Sequence, residues 1–267
     1  METSSATIGV FDSGVGGLSV LHHIRRTLPN ARLIYVADSA HVPYGDKTPE
    51  YIEQRSHTLT RFLIAQGAQA IVIACNTATA AAAASLREKF KLPILGMEPA
   101  VKPAVAATKS GVVGVLATIG TLESARFAAL LGRYGEEVEI VTQGCPGLVE
   151  RVEQGELNGA QTRELVARYT APLLARGADT LILGCTHYPF LAPVIRDVVG
   201  ADITLIDTGA AVARHLQNRI ATELKSTTNN DNSVHFYTSG DAAHASKIMS
   251  ILWGEAVTVL ALPQPYI

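Results

Sequence analysis

One stretch of this sequence occurs twice. The first copy runs Gly67-Ala-Gln-Ala-Ile-Val-Ile-Ala-Cys75-Asn76-Thr77, the second Gly177-Ala-Asp-Thr-Leu-Ile-Leu-Gly-Cys185-Thr186-His187. Each starts with Gly-Ala, crosses a short apolar run and ends at a cysteine followed by polar side chains. An apolar run of that length opening into helix-forming sequence reads as a parallel strand buried on both faces. Ligands of open α/β sheets collect outside the carboxyl ends of such strands. Two thiols at equivalent strand ends of two similar halves are therefore expected to face each other across one cleft.

The rest of the chain alternates in the same way. Thr7 to Phe11 reads as a strand, Asp12-Ser-Gly-Val-Gly-Gly17 as a turn, and Leu18 to Leu28 as a helix stopped by Pro29. Arg32 to Ala37 is a second strand, and Thr48 to Gln66 a helix with Pro49 in its first turn, where proline is tolerated. Alanine-rich Thr77 to Phe90 favours helix, and Leu92 to Leu95 is a short strand. After Gly96-Met-Glu-Pro99, which reads as a crossover and a candidate hinge, the pattern restarts. Val113-Gly-Val-Leu-Ala117 resembles Ile8-Gly-Val-Phe-Asp12, and each precedes a turn bearing hydroxyl groups and glycine. Leu122 to Leu131, the Cys145-Pro-Gly region holding Glu153, and Ala160 to Ala175 are expected to be helical. Glu137 to Thr142 and Ile203 to Ile206 are expected strands. The tail holds a helix from Ala210 to Leu224, a polar, mobile stretch from Lys225 to Asn232, a strand from Val234 to Thr238, a helix from Ala242 to Leu252 and a strand from Ala256 to Leu260. The expected class is α/β, with two similar doubly wound lobes, mostly parallel sheets and right-handed crossovers. Residues 1–97 plus 210–267 are expected to form one lobe and 98–209 the other.

Length and charge narrow the function. A chain of 267 residues with 48% hydrophobic and 17% charged residues has ample material for a buried core. Its 22 basic and 24 acidic residues give no bulk attraction to nucleic acid or an anionic membrane. The first apolar run, Ile8 to Phe11, is too short for a secretory h-region, and no run reaches the ~18 residues of a membrane span. Three cysteines, Cys75, Cys145 and Cys185, make no disulfide framework. A reducing cytoplasm is the natural compartment.

Several side chains bear on chemistry. Cys75 and Cys185 each sit at a strand end before a helix, where the helix N-terminus should lower a thiol pKa toward neutrality. A redox pair is the competing chemistry, but thioredoxin-type motifs hold their cysteines in one short Cys-x-x-Cys unit. Asp12 either caps the next helix or stands near the reacting centre, with Ser13 and neighbouring N–H groups binding a carboxylate. The Gly14-Val-Gly16-Gly17 string has Ser19 where a dinucleotide fingerprint needs its third glycine, and it lacks the lysine of a phosphate loop. Ser13, Asn76, Thr77, Thr118, Thr121 and Thr186 are neutral hydrogen-bonding groups near strand ends. His187, two residues past Cys185, can tune that thiol. His22 and His23 are expected to be solvated, and Cys145, without a counterpart in the repeat, to be structural.

With Asp12-Ser-Gly-Val-Gly-Gly17, Pro43-Tyr44-Gly45, Ala74-Cys-Asn-Thr-Ala-Thr79, Gly184-Cys-Thr-His-Tyr-Pro189 and Asp207-Thr-Gly209 taken together, the chain resembles the cofactor-independent aspartate/glutamate racemases, and within them the bacterial glutamate racemases, over essentially its whole length. The resemblance implies an active site between the lobes and no cofactor or metal. It implies that Cys75 exchanges the α-proton with D-glutamate and Cys185 with L-glutamate, assisted by Asp12 and His187, with Glu153 and Asp38 as auxiliary acids. Asp12, Ser13, Pro43, Tyr44, Gly45, Asn76, Thr77, Thr118, Thr121, Thr186 and His187 would bind substrate. The implied role is D-glutamate supply for peptidoglycan, with a homodimer and an allosteric cell-wall precursor as further partners to test. Competing readings are a racemase of aspartate or another amino acid, and a two-lobed amino-acid-binding protein without turnover. The binding protein leaves the paired cysteines unexplained.

Overall fold

Strands and helices alternate throughout the described residues, 6–224 and 231–267 of the computed structural model. β1 (Thr7–Asp12), α1 (Leu18–Thr27), β2 (Arg32–Ala37), α2 (Pro49–Ala65), β3 (Ala70–Ile73), α3 (Asn76–Lys89) and β4 (Ile94–Leu95) come first. α4 (Val101–Ala107) carries the chain to β5 (Val112–Ala117), α5 (Ile119–Leu122), α6 (Ala125–Tyr134), β6 (Glu139–Gly144), α7 (Leu148–Glu153) and α8 (Ala160–Ala175). β7 (Thr180–Leu183), α9 (Ala192–Val199), β8 (Thr204–Ile206), α10 (Gly209–Glu223), β9 (Val234–Thr238), α11 (Ala242–Trp253) and β10 (Val259–Ala261) follow. Of the polar stretch read from Lys225 to Asn232, residues 225–230 lie outside the described residues, as do Met1 to Ser5.

The strands form two parallel sheets, in the orders β10-β9-β2-β1-β3-β4 and β6-β5-β7-β8. The order β2-β1-β3-β4 of the first is repeated by β6-β5-β7-β8 in the second. Registers repeat too: the last pair between β1 and β3 is Phe11 with Ile73, and between β5 and β7 it is Leu116 with Leu183. Cys75 and Cys185 each lie two residues beyond those pairs. In each sheet the chain leaves its first strand on one side and returns on the other, so β1/β3 and β5/β7 are topological switch points, where a crevice opens at the carboxyl ends.

Every residue of β3 and β7 is buried, which accounts for their unbroken apolar runs. The inner faces of both sheets share one core, in which Val10, Leu33 and Val72 belong to the same cluster as Leu148, Leu181 and Leu183. The other face of the larger sheet packs Ile34, Ile71 and Ile73 under α2 and α3. Alanines 78, 82 and 83 of α3 are fully buried there. The other face of the smaller sheet buries Val113, Val115 and Ile182 against Val101, Ala104 and Phe127. Each fully buried aliphatic side chain contributes about 1.5–3 kcal/mol.

Local chemistry explains where elements differ from the sequence expectation. The helix expected over Leu122 to Leu131 is two, because the Ser124 hydroxyl accepts from Phe127 N–H (3.1 Å) and starts a new one. The crossover after Gly96 gives way at once to α4, with Pro103 in its first turn. The last strand is displaced to Val259–Ala261. His22 is not solvated: it stacks on Trp253 with ring centroids 4.2 Å apart, and its Nε2 lies 3.0 Å from the Leu252 carbonyl. No helix among the described residues is long and apolar enough to cross a membrane.

Candidate active site

The carboxyl ends of the two sheets meet across a narrow cleft lined by Ser13, Pro43, Tyr44, Gly45, Cys75, Asn76, Thr77, Thr118, Thr121, Val149, Gly184, Cys185, Thr186 and His187. Its free volume of about 10 Å³ is room for roughly one water molecule. Hydrogen bonds close it from both lobes. Thr77 Oγ1 lies 3.0 Å from Thr118 Oγ1 and 3.1 Å from Thr121 Oγ1. Ser19 Oγ donates to the Thr186 carbonyl (2.8 Å), and Thr186 Oγ1 donates to Asp12 Oδ2 (3.2 Å).

The two cysteines have different neighbours. Cys75 ends its strand as the N-cap of α3, its sulfur accepting from Ala78 N–H at 3.4 Å. Asp12 lies beside it, fully buried, with Oδ1 accepting from Ser13 N–H (2.7 Å) and Oδ2 from Gly17 N–H (2.6 Å). Cys185 lies 3.6 Å from His187 Nδ1. His187 Nε2 lies 2.6 Å from Glu153 Oε1, which also accepts from Val15 N–H of the opposite lobe (2.7 Å). The Gly-rich turn is required here. A Cβ at Gly16 would collide with the His187 ring, and one at Gly14 with the Glu153 carboxylate. Two thiols, each with an acid–base partner, in a space that excludes all but a trace of water suit proton transfer on opposite faces of a small molecule.

The chain resembles known proteins over nearly its whole length. Residues 8–216 match the family described as Asp/Glu/hydantoin racemase. A curated glutamate racemase of Ectopseudomonas mendocina is 58% identical over 97% of this chain and 99% of its own length. A glutamate racemase isoform of Bacillus anthracis superimposes with a TM-score of 0.88 at 32% identity, covering 98% of this chain and 99% of that one. The Escherichia coli glutamate racemase, solved with L-glutamate and the activator UDP-MurNAc-Ala, gives 0.86 at 32% identity, covering 96% and 97%. The chain belongs to the Asp/Glu/hydantoin racemase family. It is an amino-acid racemase.

Electrostatics in this racemase depart from the sequence expectation at one thiol. Cys75 was expected to be lowered by its helix; burial, with the Asp12 carboxylate beside it, instead pushes it well above the ordinary thiol range, and the Ala78 N–H only partly offsets this. Burial also raises the Asp12 carboxyl. Burial alone would lower His187, but its hydrogen bonds to Cys185 and Glu153 outweigh that and hold its pKa well above the ordinary histidine value.

Asp38 stands outside the cleft lining. It accepts from the Tyr44 hydroxyl (2.5 Å) and from Arg55 Nε (3.0 Å) and Nη2 (2.7 Å), so it holds the Pro43-Tyr44-Gly45 turn from behind. Arg55 escaped the sequence reading, although a charged residue on the buried stripe Ile52, Ser56, Leu59 of α2 was its signal. Val149 and Gly184, also lining the cleft, carried no chemical signal of their own. Cys145 donates to the Gln143 carbonyl (3.3 Å), and burial raises its pKa to about 12. Among the described residues no cluster of three or more His, Cys, Asp or Glu could hold a metal ion.

Proposed function

We propose that this racemase interconverts L- and D-glutamate by two-base proton transfer, with Cys185 exchanging the α-proton of the L-enantiomer and Cys75 that of the D-enantiomer. The observation that carries this reading is the repeated register, which ends one cysteine strand in each lobe on opposite sides of a single cleft. A single base would have to move around the substrate; two bases on opposite faces need not. One cysteine enters the reaction as thiolate and the other as thiol, and the roles exchange with direction.

The α-proton is weakly acidic because the adjacent carboxylate resists further charge. The reaction therefore relies on positioned donors and exclusion of water. Ser13, Thr77, Thr118, Thr121 and Thr186 supply neutral hydroxyls for the substrate carboxylates. Asn76 Oδ1 is buried without a hydrogen-bond partner, and such orphans ask for an explanation; an acceptor there suits the substrate ammonium. No cofactor is assigned. A glutamate molecule exceeds the free volume of the cleft, so the lobes part to admit it, and Gly96 to Pro99 serves as the hinge.

We place the activity in the cytoplasm, supplying D-glutamate for peptidoglycan. The activator bound by the Escherichia coli relative supports regulation of this chain by a cell-wall precursor. Proton NMR of L-glutamate with the purified protein in D2O, alongside circular dichroism of the amino acid, tests the core of the reading. Loss of the α-proton signal together with decay of ellipticity to zero is the expected result. Exchange without inversion would refute the two-base scheme, and no exchange even with UDP-MurNAc-Ala present would refute glutamate as substrate.

A further inference from the structure

Tyr35 is a buried polar side chain for which the two-thiol chemistry has no use. It sits on β2 in register with Val10 of β1 and is 0% exposed. Its ring packs edge-on against Phe236 of β9, with centroids 6.4 Å apart. A phenylalanine ring would fill the same space. Buried tyrosines find a partner for the hydroxyl, and here the partner is the Gly14 carbonyl, at 2.6 Å.

That carbonyl belongs to the peptide group shared by Gly14 and Val15, which is trans. A trans peptide is planar, and its C=O and N–H point in opposite directions. Tyr35 of one lobe holds the C=O end. The N–H end donates to Glu153 Oε1 of the other lobe at 2.7 Å. The same oxygen lies 2.6 Å from His187 Nε2, and His187 Nδ1 lies 3.6 Å from the Cys185 sulfur. The peptide cannot turn about its axis without releasing both ends. A hydrogen bond accepted by the carbonyl also polarises the peptide and strengthens its N–H as a donor. Space is tight on both sides: a Cβ at Gly14 would lie 1.9 Å from Glu153 Oε1, and one at Gly17 would lie 2.9 Å from the Tyr35 hydroxyl oxygen.

We infer that Tyr35 is a positioning residue for racemisation: its hydroxyl fixes the Gly14–Val15 peptide so that Val15 N–H holds Glu153, and through it the His187 ring, against Cys185. Tyr35 does not line the cleft, and it transfers no proton. Without its hydroxyl the buried Gly14 carbonyl loses this donor. An unpaired buried carbonyl is costly, so the peptide turns to find another partner and draws Val15 N–H away from Glu153.

The kinetic arm of the test rests on the two-base glutamate reading, and the NMR arm does not. Tyr35→Phe deletes one oxygen and keeps the ring. Its kcat for L-glutamate, followed by circular dichroism, should fall about tenfold, part of the ~10²–10⁴-fold worth of a positioned acid–base group. The 15N shifts of the His187 ring, read through its carbon-bound protons and assigned by their loss in His187→Gln, should move in Tyr35→Phe with no substrate present. Phe236→Leu loosens the packing of the same ring but keeps the hydroxyl, so it should lower Tm and leave both readouts in place. In the unmodified protein the Val15 amide should exchange slowly with D2O, a measurement that needs no variant to fold. Unmoved His187 shifts or an undiminished kcat in Tyr35→Phe would overturn the inference. Equal changes in Phe236→Leu, or a Val15 amide exchanging as fast as an unprotected one, would do the same. Absence of racemisation in the unmodified protein would instead overturn the substrate reading, and the His187 shifts would still decide the role of Tyr35.

Discussion

Thr186, the residue after Cys185, donates its hydroxyl to Asp12, the carboxylate beside Cys75, at 3.2 Å. The surroundings of each cysteine are thus completed by the opposite lobe. Replacing either thiol should leave these cross-lobe bonds in place while removing one acid–base group. Cys75→Ser and Cys185→Ser should each lower racemisation by about 10²–10⁴-fold, the usual worth of a positioned acid or base. Circular dichroism of either glutamate enantiomer measures this, and undiminished turnover in either variant would refute the two-base scheme.

His187 has a folded-state pKa raised above its unfolded value of about 6.5. The stability contributed by its protonation is therefore fully present below the unfolded value and is lost as pH rises through the folded one. Thermal unfolding of the unmodified protein and of His187→Gln, compared between about pH 6 and pH 10, should show the largest gap at the acid end and a narrowing gap toward alkali. A gap that widens with pH would contradict the assigned direction.

Asp38 and Arg55 form a buried pair, with the Asp38 side chain 0% and the Arg55 side chain 10% exposed. Removing one partner strands the other charge. Arg55→Met alone should cost about 3–5 kcal/mol in denaturant unfolding, and adding Asp38→Asn should recover part of that loss. Simple additivity of the two would show that the pair is not coupled. Because Asp38 holds the Tyr44 hydroxyl, KM should rise in the single variant.

Gly16 lies against the His187 ring, and a side chain there cannot be accommodated without moving the imidazole. Gly16→Ala should cost about 1–3 kcal/mol, as overpacking does, and lower kcat at least tenfold by displacing His187 from Cys185. Normal kcat in a folded Gly16→Ala protein would show that the ring is free to move.

Thiol alkylation should inactivate the protein, and glutamate should protect it. Cys145, whose pKa burial raises to about 12, should react last, after the two cleft cysteines. Peptide mass spectrometry after timed alkylation gives the order. Inactivation that tracks Cys145 labelling would place the chemistry elsewhere.

The local sequence determined the elements and the repeat. Buried parallel strands need unbroken apolar runs, so β3 and β7 declared themselves in Ala70–Ile73 and Thr180–Leu183, and the cysteines after them marked the cleft. Spacing along the chain could not reveal contacts between lobes. Nothing in the sequence says that Thr186 reaches Asp12, that Val15 N–H holds Glu153, or that Arg55 pairs with Asp38, because those distances arise only when two sheets pack end to end. The pKa of Cys75 was misread for the same reason. A helix N-terminus is visible in sequence and favours a thiolate, but the burial and the neighbouring Asp12 that outweigh it exist only once β1 and β3 pair and the site is packed. Sequence placed two thiols at one cleft; tertiary structure gave them unlike surroundings, since desolvation and the charges in contact are properties of the packed whole.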